Sequence, residues 1–153
     1  MSTDEQVFMM GKFAARIPSD RQYARNHMWA LPITGGYRFG FSAYAVRLLQ
    51  DVYFLEWTVD EGSILRERQA IGNIESSKAE SELYSPVAGK LRAINAELLR
   101  DPSAINVDTY GPGWLFEIET VGEPLLDQSA YLTHLTEAWK VAERTIKGQA
   151  NED

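Results

Sequence analysis

A mainly β domain, built as a small sandwich or flattened barrel with short helices and one C-terminal helix, is what this chain predicts from three observations. Glycine and proline punctuate it at short intervals, at Pro18, Pro32, Gly35-Gly36, Gly62, Gly72, Pro86 to Gly89, Pro102, Gly111 to Gly113 and Gly122 to Pro124. The intervals suit strands better than long helices. Several of the segments between the marks alternate apolar and polar residues, the strand period. Only the last segment sustains a long helical period. At 153 residues the chain is long enough for one domain with a core and short for two.

The elements follow in order. Residues 1–16 open with the acids Asp4 and Glu5, unlike a secretory signal or a transit peptide, and are read as a flexible lead or short helix of a cytoplasmic protein. The body then runs over residues 17–126. After the Thr34-Gly35-Gly36 turn, Tyr37, Phe39 and Phe41 alternate along a strand. Ser42 caps about two helical turns through Gln50. "VYFLEWTV" is apolar on both faces, as a central or sandwiched strand would be, and "NAELLRD" reads as a short capped turn from Asn95. "GWLFEIETV" puts Trp114, Phe116 and Ile118 on one face and Leu115, Glu117 and Glu119 on the other, a half-buried strand. Tyr131, Leu132, Leu135, Ala138, Trp139, Ala142 and Ile146 share one helical stripe, which places a helix at 127–147 against the body and leaves 148–153 as a solvated tail.

Composition removes whole classes of function. The formal charge of −7, with no basic stripe, is a poor match for phosphate backbones, so no nucleic-acid partner is expected. No apolar run approaches the roughly 20 residues of a membrane span. There is no cysteine, and the two histidines, His27 and His134, lie far apart in sequence. Disulfides, thiolate sites and histidine-rich metal sites are thereby excluded within one chain. Phosphate-loop, dinucleotide-binding and nucleophile-elbow signatures are missing as well. Nothing here looks equipped for covalent chemistry alone, so a non-catalytic role is expected.

One lysine stands apart. In "NIESSKAESELYSPVAGK", Lys78 sits between the strand-like pieces "QAIGNIES" and "SELYSPV", at the tip of a predicted hairpin. Ser76, Ser77, Ala79 and Ser81 leave no bulky neighbour over its amine, and Glu75 stands three residues ahead. The alternative is an ordinary surface lysine paired with Glu75, Glu80 or Glu82.

The stretch "ESSKAESELYSPVAGKLRAINAELLRDPSAINVDTYGPGWLFEIE" closely resembles the H protein family of the glycine cleavage system, which carries lipoic acid on the lysine of an E-S-x-K-A motif. "YSPVAG", "N-x-x-L", "N-x-D-x-Y" and "G-W-L-F-x-I" follow in the family's order and spacing. Upstream, Tyr23, His27 and Trp29, "FGFSAYA" and "LLQDVYFLEW" are similar to its opening strands. The resemblance implies a lipoyl/biotinyl-carrier sandwich of two small antiparallel sheets, a barrel-sandwich hybrid. It implies lipoic acid, covalent on Lys78, with Glu75 and Gly62 contributing to recognition by a lipoyl ligase or transferase. It also implies an arm-binding cleft at Glu82, His27 and Met28, and three partners: glycine decarboxylase, aminomethyltransferase and dihydrolipoyl dehydrogenase. Biotin carriers show an M-K-M pattern, which Ser77-Lys78-Ala79 lacks.

The departures from the family pattern are specific. Its H-E-W motif reads His27-Met28-Trp29 here, so an acid that would suit an ammonium cargo is replaced by an apolar side chain. Restoring it by Met28→Glu is expected to raise activity if the glycine pathway is the right one. Gln50 replaces a glycine of the family pattern, and Arg68 stands where a turn glycine is usual. The missing acid leaves open a lipoyl relay or a carrier in bacterial sulfur oxidation. A third reading is an unlipoylated interaction module whose C-terminal helix binds a partner. His27 has its own plainer reading, a structural histidine anchored beside Trp29.

Overall fold

The computed structural model describes residues 5–120 and 124–152, with side chains described as far as Thr145. Residues 1–4 of the expected lead and Asp153 of the expected tail lie outside the described residues.

Among the described residues the first element is a β-hairpin and not a helix or a loose lead: β1 (Gln6–Met10) and β2 (Phe13–Ile17). Phe8 and Met10 face inward on β1, as Ala15 and Ile17 do on β2, a period of two that a helix could not bury. Gly11, at φ +64°, takes the first position of the two-residue turn between Met10 and Phe13, the place where such hairpins favour glycine.

The body is a sandwich. One six-stranded antiparallel sheet runs in the order β3 (Gln22–Tyr23), β4 (Met28–Ile33), β5 (Gly36–Phe41), β11 (Phe116–Glu119), β10 (Gly89–Ile94), β7 (Ile64–Leu65). A three-stranded antiparallel sheet runs β6 (Val52–Trp57), β8 (Ala70–Ser76), β9 (Glu80–Tyr84). The fold class expected from the sequence is the one observed. "VYFLEWTV", however, is an edge strand, because β8 takes the centre of its sheet. Val52 and Leu55 turn into the core while Tyr53 and Phe54 stay exposed.

Two hydrophobic clusters share β4 as a wall. Met28 and Ala30 point between the sheets, where they meet Phe39, Phe41, Leu55, Ile74, Leu83, Phe116 and Ile118. Trp29, between them in sequence, points the other way, to join Tyr23, Tyr44, Tyr131, Leu135 and the hairpin's Met10, Ala15 and Ile17. Burying a side chain of this size contributes on the order of 2–3 kcal/mol. The Trp29 ring needs room on the neighbouring strand: a Cβ at Gly40 would lie 2.5 Å from it.

Short helices fill the connections. α1 (Ala43–Leu49) is capped by the Ser42 hydroxyl, which accepts from the Ala45 amide as the sequence implies. α2 (Glu97–Arg100) follows Asn95, and α3 (Ala104–Val107) is a single turn that no local pattern announced. Asp127 caps α4 (Gln128–Glu152), accepting from the Ala130 amide at 2.8 Å. α4 packs on the second cluster through Tyr131, Leu135 and Trp139. It continues into the expected tail as far as Glu152, since one glycine, Gly148, costs about 1 kcal/mol and no proline interrupts the helix. Among the described residues no helix is long and apolar enough to cross a membrane.

Candidate functional site

β8 and β9 form the hairpin that the sequence places around Lys78, with Ser77 to Ala79 as its tip. Ser76 organises the turn. Its backbone amide donates to the Ala79 carbonyl at 2.8 Å, and its hydroxyl accepts from the amides of Lys78 (3.3 Å) and Ala79 (3.2 Å). Serine does this at a strand end because its short side chain competes well for local backbone donors. Ser77 is tied across to the chain before β6: its amide donates to the Asp51 carbonyl at 2.9 Å, and its hydroxyl accepts from the Asp51 amide at 3.2 Å.

Lys78 is exposed on this braced tip. Among the described residues no ion pair engages its ammonium, so the simple salt-bridge account of the lysine has no support in the geometry. Glu75 and Glu80 stand directly opposite one another in the β8–β9 register, and Glu82 lies opposite Asn73, which donates to Glu56 at 3.1 Å. These carboxylates, with Phe54, line a shallow groove of about 300 Å³ on the outer face of the three-stranded sheet. Like charges paired across strands weaken a ladder, so this face carries negative charge at some cost to the sheet.

The remaining expected site residues do not gather there. His27, at φ +72°, lies on the β3–β4 turn, and its Nδ1 is 2.9 Å from the Tyr131 hydroxyl on α4. Met28 is 2% exposed and points into the core between the sheets. Glu82 points outward from the opposite sheet. The single cleft of Glu82, His27 and Met28 therefore gives way to three environments, because His27 lies on a turn against α4, Met28 starts β4 facing the core, and Glu82 faces outward from the other sheet. Gly62 donates to the Leu91 carbonyl and takes φ +95°. It follows the end of β6 at which Trp57 pairs with Gly72, whereas Val52 at the other end pairs with Ser76 beside the lysine. Gly62 is thus remote from the tip, and its local role is to permit a turn.

His27 belongs to a polar knot that fastens α4. Its ring stacks on His134 with centroids 5.3 Å apart, the Tyr131 hydroxyl also lies 2.8 Å from the Ser42 hydroxyl, and His134 Nε2 is 3.0 Å from the Arg25 carbonyl. With Ser42 already accepting from Ala45, a consistent order has Ser42 donating to Tyr131 and Tyr131 donating to His27 Nδ1. Burial, with a smaller contribution from the neighbouring His134, holds the His27 imidazole down at about 4. Burial likewise pushes the Tyr131 hydroxyl far up, so it stays protonated.

The folded His27 resists a proton that the unfolded chain accepts near 6.5, so its contribution is complete above that pH and lost as pH falls toward 4. The loss should be on the order of 2–3 kcal/mol. The measurement is urea unfolding of wild type and His27→Asn at pH 7.5 and 4.5. Asparagine tolerates the positive φ, so the variant should start less stable and show the smaller acid-induced decline. Parallel declines would remove His27 from the account.

The clamp on the other side of the tip was not legible as such. Asn106, on α3, accepts from the Val52 amide at 2.9 Å and donates to the Gln50 carbonyl. The N-x-D-x-Y motif marked the position, but only the fold brings it 54 residues back to the start of β6.

A two-sheet sandwich that presents one unpaired lysine on a hairpin tip is the architecture of a covalent-arm carrier domain. Residues 21–145 match the family model described as Glycine cleavage H-protein, and the chain belongs to that family. It is 39% identical over 117 residues to the glycine cleavage system H protein of Beutenbergia cavernae, covering 75% of this chain and 93% of the relative. It is 40% identical over 122 residues to that of Myxococcus xanthus, covering 77% and 94%. The crystal structure of a glycine cleavage system H protein from Mycobacterium marinum superposes with a TM-score of 0.70 at 31% identity, covering 78% of this chain and 99% of that one. The β1–β2 hairpin precedes the residues that the family model matches.

Proposed function

We propose that this chain is a non-catalytic carrier that holds lipoic acid in amide linkage on Lys78. In this reading it shuttles the aminomethyl group of glycine from glycine decarboxylase to an aminomethyltransferase, with dihydrolipoyl dehydrogenase reoxidising the arm, in the cytoplasm. The observation that carries it is the exposed Lys78, free of any ion pair among the described residues, within the E-S-x-K-A motif of the family to which the chain belongs. When bound, the lipoyl group supplies the dithiolane that accepts and releases the cargo.

The chain's own residues fit that group. Ser77 and Ala79 leave the amine open, Ser76 and Asp51 hold the tip, and acylation would strand no partner carboxylate. Glu75 is the residue nearest the tip on β8 that a lipoyl ligase or transferase could read. The acids that suit an ammonium-bearing arm are Glu56, Glu75, Glu80 and Glu82, on the outer face of the same hairpin sheet. Glu82 is retained in this assignment, while His27 and Met28 serve helix docking and the core.

Intact mass after co-expression with a lipoyl ligase tests attachment, and glycine–bicarbonate exchange with decarboxylase and aminomethyltransferase tests the pathway. Addition of one lipoyl group and stimulated exchange are the expected results. No mass change beside a control carrier that is modified would refute attachment. Lipoylation without stimulated exchange would refute the glycine role and leave the other lipoyl pathways.

A further inference from the structure

We infer that Asn106 is a positioning residue for the modification of Lys78, acting through the Gln50–Val52 segment and Ser77. The inference rests on the reading of Lys78 as the attachment site. Four contacts form one path: Asn106 bonds the Gln50 carbonyl and the Val52 amide, and Asp51, between them, exchanges two hydrogen bonds with Ser77, the residue before Lys78. The tip of a two-stranded hairpin has few long-range contacts of its own, so its shape depends on what holds it from outside.

The segment needs holding. Gln50 sits at φ +60°, ψ −134°, a conformation that only glycine adopts without strain. A non-glycine residue persists there when its surroundings over-determine it. Besides the Gln50 amide, which closes α1 onto Val46, and the pairing of Val52 with Ser76 where β6 meets β8, the bonds that hold the strained segment are those to Asn106 and Ser77. Without Asn106, Gln50 is free to relax toward an ordinary conformation, and Asp51 swings away from Ser77. The lysine backbone then samples shapes that a modifying enzyme, which must place one amine at its acyl donor, does not accept.

The conformational logic supplies its own rescue. Glycine at position 50 adopts the same φ and ψ without strain, which removes the drive to relax, so Gln50→Gly should restore part of what Asn106→Ala removes. The test uses the full chain, a lipoyl ligase and lipoate. Asn106→Ala is expected to lower the ligase kcat/KM by about five- to tenfold. Amide exchange at Ser77 and Lys78 should rise by a similar factor, while the core amides of Ile118 and Phe116 keep their protection. Gln50→Gly/Asn106→Ala should move both readings back toward wild type. An unchanged ligase rate in Asn106→Ala would overturn the inference, as would exchange that rises equally in the core, since that is general destabilisation. A double variant as slow as Asn106→Ala would overturn the path through Gln50. Failure of the wild type to accept lipoate would instead strike the attachment reading itself.

Discussion

Lys78→Arg is expected to abolish lipoyl attachment while leaving the fold as it is. Amide formation needs a neutral amine at the moment of attack, and a lysine amine reaches that state far more easily than a guanidinium, which stays protonated throughout the accessible pH range. Arginine at an exposed tip preserves the charge and disturbs no ion pair, so unfolding free energy should change by no more than about 0.5 kcal/mol. Intact mass should show no lipoyl group, and glycine–bicarbonate exchange should fall to the level seen without carrier. Lys90→Arg, an exposed lysine on β10, is the control and should be modified like wild type. Lipoyl uptake by Lys78→Arg would move the attachment site to another lysine.

That prediction rests on a feature the sequence displayed in full. The lysine, its small neighbours and the flanking strand segments are contiguous, so a local reading found them. The same holds for β5, for β11 from Phe116 onward and for the capped α1, whereas Leu115, expected on the outer face with Glu117 and Glu119, is fully buried because the strand begins only after it. What the sequence hid depends on partners distant in the chain. Phe8, Met10, Ala15 and Ile17 do alternate, but the face they bury exists only because α4 and Trp29 supply the other side. The edge position of β6 is hidden because apolar residues on both faces suit an edge strand with exposed Tyr53 and Phe54 as well as a central or sandwiched one. The separation of His27, Met28 and Glu82 follows from the turn that His27 occupies before β4 and from the assignment of β4 and β9 to different sheets, neither of which local spacing shows.

The residue most changed by this is Met28, and Met28→Glu carries the second large effect. Read as a motif departure, methionine is a missing acid, and glutamate there should raise activity. Read in the fold, its side chain fills space between the sheets beside Phe41, its register partner, with 2% of its surface exposed. A carboxylate placed there with no donor provided should lower stability by about 3 kcal/mol or more. Its folded pKa would be raised, so the stability it contributes in the protonated form is present at low pH and lost as pH rises through that value. The difference between Met28→Glu and wild type in urea unfolding should therefore be smaller at pH 5 than at pH 8. Met28→Leu, which keeps the volume, should cost no more than about 1.5 kcal/mol at either pH. Comparing exchange rates at equal folded fraction then separates charge from packing. A gain by Met28→Glu with undiminished stability would mean that the side chain reaches the surface, and would return position 28 to the arm site. A loss that tracks unfolding would leave the outer acids, Glu82 foremost, as the negative charge the arm can meet.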